Sequence, residues 1–363
     1  MKDILQFQEN LLTWYEENKR TLPWRFNKPN PYATWVSEIM LQQTTVPTVI
    51  PYFQRFLNQW PTVEDLAYAS LDEVLHLWQG LGYYSRARNL HKCAKKIVDD
   101  FGGIFPSDEK ILKTLPGIGD YTAAAIGAIA FDHPTVVMDG NIERIIARLF
   151  LVKEPLPQSK PILKHHAKTI ASEKNPGDYA QALMDLGSSI CTPKNPLCKK
   201  CPIAIHCKAF HHHPEDYPKK QPKKITPKKY AMLFWVEDQN GNVLIEKRPE
   251  KGLLGGLMGF PSSPWKAEKS THEDLNFAPV EAAWEPIEIS ISHTFTHFHL
   301  TFSILKACVK NPKDGLWVAR QDLVHHAFPT LMQKVIQRMT NFPPPLSPPL
   351  PRTAVRGKMR KIF

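Results

Sequence analysis

The sequence lacks a long hydrophobic run and has few cysteines. No stretch of 18 or more apolar residues occurs in the 363-residue chain, so we expect no membrane-spanning helix. The first residues, Met1-Lys2-Asp3-Ile4, do not begin the apolar run of a secretory signal. We therefore expect no signal peptide and a cytoplasmic protein. Disulfide bonds are rare in that compartment, so the six cysteines are not expected to be cross-linked.

Four of the six cysteines lie within 17 residues, at Cys191, Cys198, Cys201 and Cys207. Thiolates gathered this closely in a reducing compartment predict a metal centre. Structural zinc sites usually combine two separated pairs of ligands, and only Cys198 and Cys201 form such a pair. A [4Fe–4S] cluster suits one compact loop. The residues alone favour the cluster and leave zinc open as the alternative.

The net charge of +11 is concentrated in two segments. Residues 208–230 contain seven Lys and two acidic residues, and residues 343–363 contain five Lys or Arg and no acidic residue. The rest of the chain is nearly neutral. A basic balance indicates a polyanionic partner such as nucleic acid. Solvated charge runs in disordered segments explain the same balance equally well.

Hydrophobic periodicity divides the chain into an all-α part and an α+β part. Helical spacing of apolar residues continues from residue 1 to about 208, with no convincing period-2 strand before residue 210. Alternating strand patterns begin near residue 230 and include the hairpin signal Asn240-Gly241. We predict a helical domain over 1–208, a linker over 209–229, an α+β domain over 230–342 and a Pro-rich, basic, disordered tail over 343–363.

The segment Leu115-Pro116-Gly117-Ile118-Gly119 lies between two helical patterns. Gly117 and Gly119 allow a tight turn that exposes backbone N–H groups at the start of the next helix. Such groups bind phosphate, and this contact is independent of nucleic-acid sequence. An ordinary helix–turn–helix corner is the alternative.

Two carboxylates stand out. Asp139 follows an apolar run and precedes a helical pattern, so it is either a helix N-cap or a carboxylate at the mouth of a cleft, or both. Glu38 is flanked by apolar residues on a predicted helix. If it is buried, its pKa is raised, as a general acid near neutrality requires. A glutamate on the polar face of the helix is the alternative.

Four features occur in one order: VSEIMLQQT, then LPGIGDYTA followed by MDGN, then the four cysteines, then GLLGGLMGFP and HTFTHFHL. Together they resemble the MutY-type adenine DNA glycosylases, which are helix–hairpin–helix glycosylases with an iron–sulfur cluster. The resemblance spans residue 1 to about 340. It implies a helix–hairpin–helix glycosylase domain with a [4Fe–4S] cluster on Cys191, Cys198, Cys201 and Cys207. It also implies a Nudix-like second domain, and a monomer that acts on duplex DNA in the bacterial nucleoid.

The resemblance assigns catalytic roles to Glu38, Asp139 and Tyr121. Glu38 matches the glutamate that protonates adenine, and Asp139 matches the aspartate that stabilises the sugar cation. Tyr121 occupies an active-site position where glycosylase–lyases of the endonuclease III type carry a lysine nucleophile. A Schiff base needs an amine. We therefore expect hydrolysis of adenine paired with 8-oxoguanine or guanine, leaving an abasic site with little strand cleavage.

The adenine must leave the base stack to be reached, and the resemblance assigns two sets of contacts for this step. The residues matching those inserted into the duplex are Gln42 and Tyr83, with Leu81 assisting. The residues matching the adenine pocket are Trp24, Arg25 and Gln181. Core packing is the alternative for Tyr83.

The second domain carries no REXXEEXG metal-binding motif between Gly252 and Glu288, so we expect it to bind rather than hydrolyse. The resemblance implies that it reads 8-oxoguanine through Phe295, Thr296 and His297. Many relatives carry Ser where Thr296 stands. The threonine hydroxyl can still form a hydrogen bond, but its methyl group restricts χ1. An inward-facing strand residue is the alternative for Phe295.

Two other functions compete with this expectation. The first is a non-catalytic DNA-binding protein on the same fold, which the presence of both Glu38 and Asp139 disfavours. The second is a glycosylase–lyase for oxidised pyrimidines, which Tyr121 and the Nudix-like domain disfavour.

Overall fold

The structure is a computed structural model that describes residues 3–222, 225–310, 312 and 314–340. These residues form two compact units. The first unit contains residues 3–69 and 88–222, and the second contains residues 70–87 and the described residues from 225 onward. The predicted disordered tail, 343–363, lies outside the described residues.

The first unit is helical, as the periodicity predicts. The helices in chain order, including two of the second unit, are α1 Ile4–Asn18, α2 Pro31–Leu41, α3 Val46–Gln59, α4 Val63–Tyr68, α5 Leu71–Leu77, α6 Ser85–Phe101, α7 Glu109–Leu112, α8 Asp120–Phe131, α9 Gly140–Phe150, α10 Lys160–Thr169, α11 Pro176–Ser189 and α12 Thr330–Thr340. Helix α5 and the first residues of α6 belong to the second unit, as does α12. None of the helices in the described part of the chain is long and apolar enough to cross a lipid bilayer.

Small residues bring the central helices of the first unit close together. Helix α8 packs against both α2 and α11, and α11 also packs against α9. A side chain at Gly177 would meet the carbonyl oxygen of Ala128 at 2.7 Å, and one at Gly187 would meet Cβ of Asn141 at 2.6 Å. These positions therefore require glycine. The approach at Gly187 lies beside the start of α9, whose N-cap is Asp139, and the approach at Gly177 lies near the end of α8.

The helical unit continues past residue 209, where the sequence predicts a linker. Short 3₁₀ turns cover Lys208–His211 and Pro214–Asp216, and Ala209 is fully buried. The N–H of Leu156 donates to the carbonyl oxygen of Lys219 at 2.8 Å. Residues as far as 222 therefore pack on the first unit because their backbone and small side chains find partners there.

The second unit is built on a mixed sheet in the order β3-β2-β1-β5-β4, with β6 also paired to β2. Its strands are β1 Lys228–Asp238, β2 Asn242–Lys247, β3 Met258–Gly259, β4 Glu285–Thr294, β5 His299–Val309 and β6 Leu316–Ala319. The long pair β1–β5 is parallel, and the other named pairs are antiparallel. The predicted turn at Asn240-Gly241 joins β1 to β2, with Gly241 at φ 81°. The α+β prediction for this part of the chain is thus confirmed.

Helix α12 covers one face of the sheet. Leu331, Met332 and Val335 of this helix are buried in a cluster with Phe302 of β5 and Trp235 of β1. Segment 70–87 joins this unit through contacts that are distant in sequence: Lys247 forms an ion pair with Asp72 at 3.0 Å. The side-chain amide of Gln79 donates to the Phe328 carbonyl oxygen at 2.9 Å.

We expect Phe302→Ala to lower the free energy of unfolding of the second unit by about 3–5 kcal/mol, because it leaves a cavity in a fully buried cluster. Guanidinium denaturation followed by circular dichroism would measure the change. Phe277→Ala is the matched control, since Phe277 is 52% exposed in the same unit and its loss should cost less than about 1 kcal/mol. Equal effects from the two variants would contradict the assigned core.

Candidate active site

Glu38 lies on α2, a helix in which every residue from 32 to 40 is buried. This helix begins at Pro31, and the side chain of Asn30 caps it by accepting from the Ala33 N–H at 3.1 Å. Glu38 is only 5% exposed. Its Oε2 accepts a hydrogen bond of 2.7 Å from the hydroxyl of Tyr121, the second residue of α8. The alternative interpretation of Glu38, a glutamate on the polar face, is therefore wrong.

Burial raises the pKa of Glu38 to about 7. The hydrogen bond from Tyr121 opposes this rise, the charge of Asp139 adds to it, and the charge of Arg25 opposes it. Burial also raises the pKa of Tyr121 well above its ordinary value, with the charges of Glu38 and Asp139 acting in the same direction. At neutral pH the phenol therefore keeps its proton, and Glu38 exchanges one readily, as a general acid must.

Asp139 is the N-cap of α9. Its Oδ1 accepts from the backbone N–H of Ile142 at 2.7 Å, and its Oδ2 accepts from the side-chain amide of Asn141 at 2.9 Å. The capping interpretation is thus confirmed. The same two bonds fix the direction of the carboxylate, whose charge reaches both Glu38 and Tyr121. Its catalytic role remains a prediction.

Arg25 is held by a carboxylate that sequence reasoning missed. Its two terminal nitrogens donate to Asp185 of α11 at 2.7 and 2.8 Å, and Arg20 donates to the same side chain. Asp185 is 1% exposed. Burial works to raise its pKa, but the hydrogen bonds and charge of Arg25 and the bonds from Arg20 hold it below the ordinary value. Asp185 lies four residues after Gln181, so the two side chains share one face of α11. This spacing is the feature of the sequence that could have pointed to Asp185.

The other residues assigned to the adenine pocket and to the duplex contact in the first unit are half-buried. Trp24 packs edge-to-face on Phe53, with ring centroids 5.4 Å apart. The amide of Gln181 makes a long contact of 3.4 Å with the Gly177 carbonyl oxygen. The amide of Gln42 donates to the Thr122 hydroxyl at 3.3 Å, one residue after Tyr121. Contacts or charge interactions thus connect four of the predicted site residues, Glu38, Tyr121, Asp139 and Arg25. Gln42 contacts α8, the helix that carries Tyr121.

The predicted hairpin connects α7 to α8. Gly117 has φ 80°, and a Cβ there would lie 2.8 Å from Cβ of Asn89, so only glycine fits. Gly119 is the N-cap of α8, which has no side-chain cap, and a Cβ at this exposed position would meet nothing within 4 Å. The start of α8 thus has no side-chain cap and has open space beside Gly119, which is compatible with a phosphate at the helix N-terminus.

The four clustered cysteines lie on the loop that follows α11, and all are free thiols of intermediate burial. Backbone N–H groups point at two sulfurs, from Ile203 to Cys201 and from Ala209 and Phe210 to Cys207. Burial raises the pKa of Cys201 to about 12 and that of Cys207 to about 11. The backbone hydrogen bonds lower both pKa values, and the charges of the neighbouring thiolates raise them further. These thiols would be ionised at neutral pH only with a cationic centre bound to them.

Within the described residues, no three His, Cys, Asp or Glu side chains are grouped to hold a metal ion. The thiols nevertheless lie close enough for their charges to interact: those of Cys191 and Cys198 act on both Cys201 and Cys207. The terminal nitrogen of Arg148 donates to Sγ of Cys191 at 3.3 Å. Four thiols with N–H donors aimed at them are a donor set that fits an iron–sulfur cluster, whose sulfurs accept such bonds.

A chain of hydrogen bonds joins Asp139 to the cysteine loop. The side chain of Asn141 donates to Asp139 at 2.9 Å and accepts from Arg144 at 2.9 Å. Arg144, which is 9% exposed, also donates through Nε to the carbonyl oxygen of Cys191 at 2.7 Å. Asn141 and Arg144 are further residues that sequence reasoning missed, although Asn141 lies inside the MDGN motif.

The site residues of the second unit lie on two loops. Phe295, Thr296 and His297 belong to the turn between β4 and β5, where Thr296 and His297 are exposed. Phe295 is half-buried and stacks on Trp265 at 5.9 Å, so the inward-facing interpretation fits its packing. The hydroxyls of Tyr83 and Thr296 are 2.8 Å apart.

Leu81 and Tyr83 differ in exposure. Leu81 is 6% exposed and Tyr83 is 46% exposed. Core packing, the alternative for Tyr83, is therefore wrong, and Tyr83 is the side chain that the loop presents to solvent.

Comparison with known proteins gives the family. Residues 36–171 match the model of the HhH-GPD superfamily of base excision DNA repair proteins, and residues 232–338 match the NUDIX domain. Adenine DNA glycosylase of Mus musculus is 32% identical, over 92% of this chain and 78% of that protein. Adenine DNA glycosylase of Buchnera aphidicola subsp. Schizaphis graminum is 35% identical, over 92% of this chain and 99% of that protein. The chain belongs to the adenine DNA glycosylases.

Membership of this family confirms the MutY-type resemblance and makes the protein a hydrolase of base excision repair, a DNA N-glycosylase. The fold agrees with this assignment. A solved thermostable thymine-DNA glycosylase superposes with a TM-score of 0.53 at 29% identity, over 58% of this chain and 97% of that chain.

The pH dependence of adenine release should report the environment of Glu38. The general-acid role proposed below makes the protonated carboxyl of Glu38 the active form, so we expect the single-turnover rate to fall as pH rises through about 7. The Tyr121 hydrogen bond lowers the pKa of Glu38, so Tyr121→Phe should move this falling limb to higher pH. Tyr179→Phe is the matched control, since the Tyr179 hydroxyl is buried in the same unit but donates to the Ile170 carbonyl oxygen. A limb that moves to lower pH in Tyr121→Phe would contradict the assignment.

Proposed function

We propose that this glycosylase hydrolyses the N-glycosidic bond of adenine paired with 8-oxoguanine or guanine in duplex DNA and leaves an abasic site. The observation that carries the proposal is the Glu38 carboxyl, which is buried and hydrogen-bonded to Tyr121 and has a pKa of about 7. Such a group holds a proton at neutral pH and can release it to a leaving base. Adenine leaves readily only when a ring nitrogen is protonated, and this is the role proposed for Glu38.

Asp139 acts on the other product of bond cleavage. As the base departs, positive charge develops on the sugar, as in glycosidases with two carboxylates. The bonds from Ile142 and Asn141 hold the Asp139 carboxylate in one direction, so it can stabilise this charge without reorganising. Water then adds to the sugar and completes the hydrolysis.

The groups that act on Glu38 support hydrolysis without strand cleavage. Among the described residues, those whose contacts or charges act on Glu38 are Tyr121, Asp139 and Arg25, and none carries a primary amine. A lyase step needs an amine to form a Schiff base with the sugar. We therefore propose a monofunctional enzyme, with Trp24, Arg25 and Gln181 lining the pocket for the extruded adenine.

Recognition of the mispair is proposed for two loops. Tyr83, exposed and presented by its loop, inserts beside the lesion with Gln42, and base stacking on an aromatic ring offsets lost stacking by about 1–3 kcal/mol per base. Thr296 and His297 read 8-oxoguanine from the exposed turn of the second unit. Phe295 supports that turn from below by packing on Trp265. The functional division proposed from the sequence is a glycosylase domain over 1–208, a linker over 209–229, a recognition domain over 230–342 and a tail over 343–363. The compact units differ from it: residues 70–87 belong to the second unit, and residues 209–222 pack on the first.

The four thiols of the cysteine loop, Cys191, Cys198, Cys201 and Cys207, are proposed to hold a [4Fe–4S] cluster. When bound, the cluster supplies a cationic centre that keeps the thiolates ionised and fixes the loop. Arg148 donates to the sulfur of Cys191. Arg144 donates both to the carbonyl oxygen of Cys191 and to the side chain of Asn141. Through these bonds the loop geometry bears on the direction of Asp139.

Glu38→Gln should bind a duplex with adenine opposite 8-oxoguanine but release adenine at least about a hundredfold more slowly, because the amide cannot donate an acidic proton. Single-turnover assays on duplexes with A opposite 8-oxoguanine, A opposite G, or thymine glycol would measure this, with abasic sites counted before and after alkali. Product should form only from the adenine mispairs and only as alkali-labile sites.

Glu16→Gln is the matched control, since Glu16 is exposed in the same unit and pairs with Lys19. Retained turnover in Glu38→Gln would remove Glu38 from its role. Covalent DNA adducts trapped by borohydride in the unmodified protein would oppose the monofunctional proposal.

Cys198→Ser should reduce bound iron and sulfide, which we expect at about four of each per chain in the unmodified protein. Elemental analysis for both iron and zinc would measure the change. Cys93→Ser is the control, because Cys93 is a buried thiol distant in sequence from the loop. One zinc ion per chain, with no iron after anaerobic purification, would replace the cluster by the zinc alternative.

A further inference from the structure

The loop that presents Tyr83 has an unusual backbone. Gly82 has φ 72° and Tyr83 has φ 49°, so two consecutive residues adopt the left-handed conformation. For a residue with a Cβ this conformation costs about 1–2 kcal/mol. Such conformations persist where surrounding contacts over-determine them, and they concentrate at functional sites. The contacts that impose this conformation therefore bear on what Tyr83 does.

Arg86 contacts this loop through both its guanidinium and its backbone N–H, while the Tyr83 hydroxyl lies 2.8 Å from that of Thr296. One of its terminal nitrogens donates to the carbonyl oxygens of Leu81 at 3.2 Å and Gly82 at 3.1 Å. The guanidinium carbon lies 5.6 Å from the ring centroid of Tyr83 and 5.4 Å from that of Trp78. The backbone N–H of Arg86 also donates to the Tyr83 carbonyl oxygen at 2.8 Å.

Arg86 is buried and is held in place by several contacts. The residue is 7% exposed and Trp78 is fully buried. The indole N–H of Trp78 donates to the Gly82 carbonyl oxygen at 3.2 Å, so two side chains hold one carbonyl. A buried charge is costly unless it is hydrogen-bonded, and the planar guanidinium meets two carbonyls and two aromatic rings at once. A lysine ammonium has no equivalent fork or stacking plane.

We propose that Arg86 is a positioning residue that sets Tyr83 in the conformation needed to enter the DNA helix. The inference rests on the proposed role of Tyr83 as the inserted side chain. Arg86 does not touch the reacting atoms. It fixes the backbone of Leu81 and Gly82 and holds the Tyr83 ring from one side, so the ring is preset before DNA binds and less entropy is lost on insertion.

The test compares Arg86→Met, Tyr83→Ala and the double variant on a duplex with adenine opposite 8-oxoguanine. The first readout is the fluorescence of 2-aminopurine placed next to 8-oxoguanine, which rises when an inserted ring unstacks it. The second is the single-turnover rate of adenine release. Arg86→Met should abolish the fluorescence rise as Tyr83→Ala does, and each variant should release adenine about tenfold more slowly. The double variant should be no slower than either single variant.

Arg86→Lys keeps a positive charge and should recover only part of the fluorescence rise, and it serves if Arg86→Met does not fold. Arg55→Met is the matched control, since Arg55 lies 4.6 Å from the ring of Tyr52 on an exposed surface of the first unit, and it should behave as the unmodified protein. Additive losses in the double variant, or an undiminished fluorescence rise in both Arg86 variants, would overturn the proposal. If the unmodified protein releases no adenine from any mispair, the proposed function fails instead.

Discussion

The burial of one carboxyl against one phenol is the constraint on which the first unit depends. Glu38 leaves water almost completely, and the hydrogen bond from Tyr121 compensates only part of that loss. A carboxylate with so little solvation is unfavourable, so the proton is retained to a pH near neutrality. This requires α2 and α8 to approach closely, and the alanine-rich sequence of α8 allows it. Burying the Glu38 carboxyl thus lowers the stability of the folded protein, and it keeps a proton on that carboxyl near neutral pH.

The role proposed for Asp139 sets a different requirement, that its carboxylate keep one direction. The start of α9 provides this through a backbone N–H, and Asn141 provides it through its side chain. Since Asn141 is itself held by Arg144, and Arg144 by the Cys191 carbonyl oxygen, the cysteine loop is structurally part of the active site. The cluster proposed for this loop would in this way be connected to the direction of Asp139 through the chain's own hydrogen bonds.

Local patterns predicted much of this arrangement. Helical spacing found the helices of the first unit, and the short Asp139-Gly140-Asn141 sequence identified an N-cap. The burial of Glu38 was different, since its helix is apolar on all sides and gives no clear polar face, and the family resemblance decided that point. Asp185 was missed because its importance comes from Arg25, 160 residues earlier. The membership of segment 70–87 was missed for the same reason, since its partners lie 175 and 249 residues away.

Because of segment 70–87, the two compact units are not two consecutive stretches of the chain. Residues 70–87 are encoded inside the glycosylase part of the gene product but make their compact contacts with the sheet-containing unit. A fragment beginning at residue 225 would lack the hydroxyl of Tyr83, which contacts Thr296, and the side-chain amide of Gln79, which donates to the Phe328 carbonyl oxygen. A fragment ending at residue 222 would keep the segment and leave it without its partners. Neither half is therefore a complete piece, and the chain is better regarded as one enzyme whose second unit borrows 18 residues from within the first.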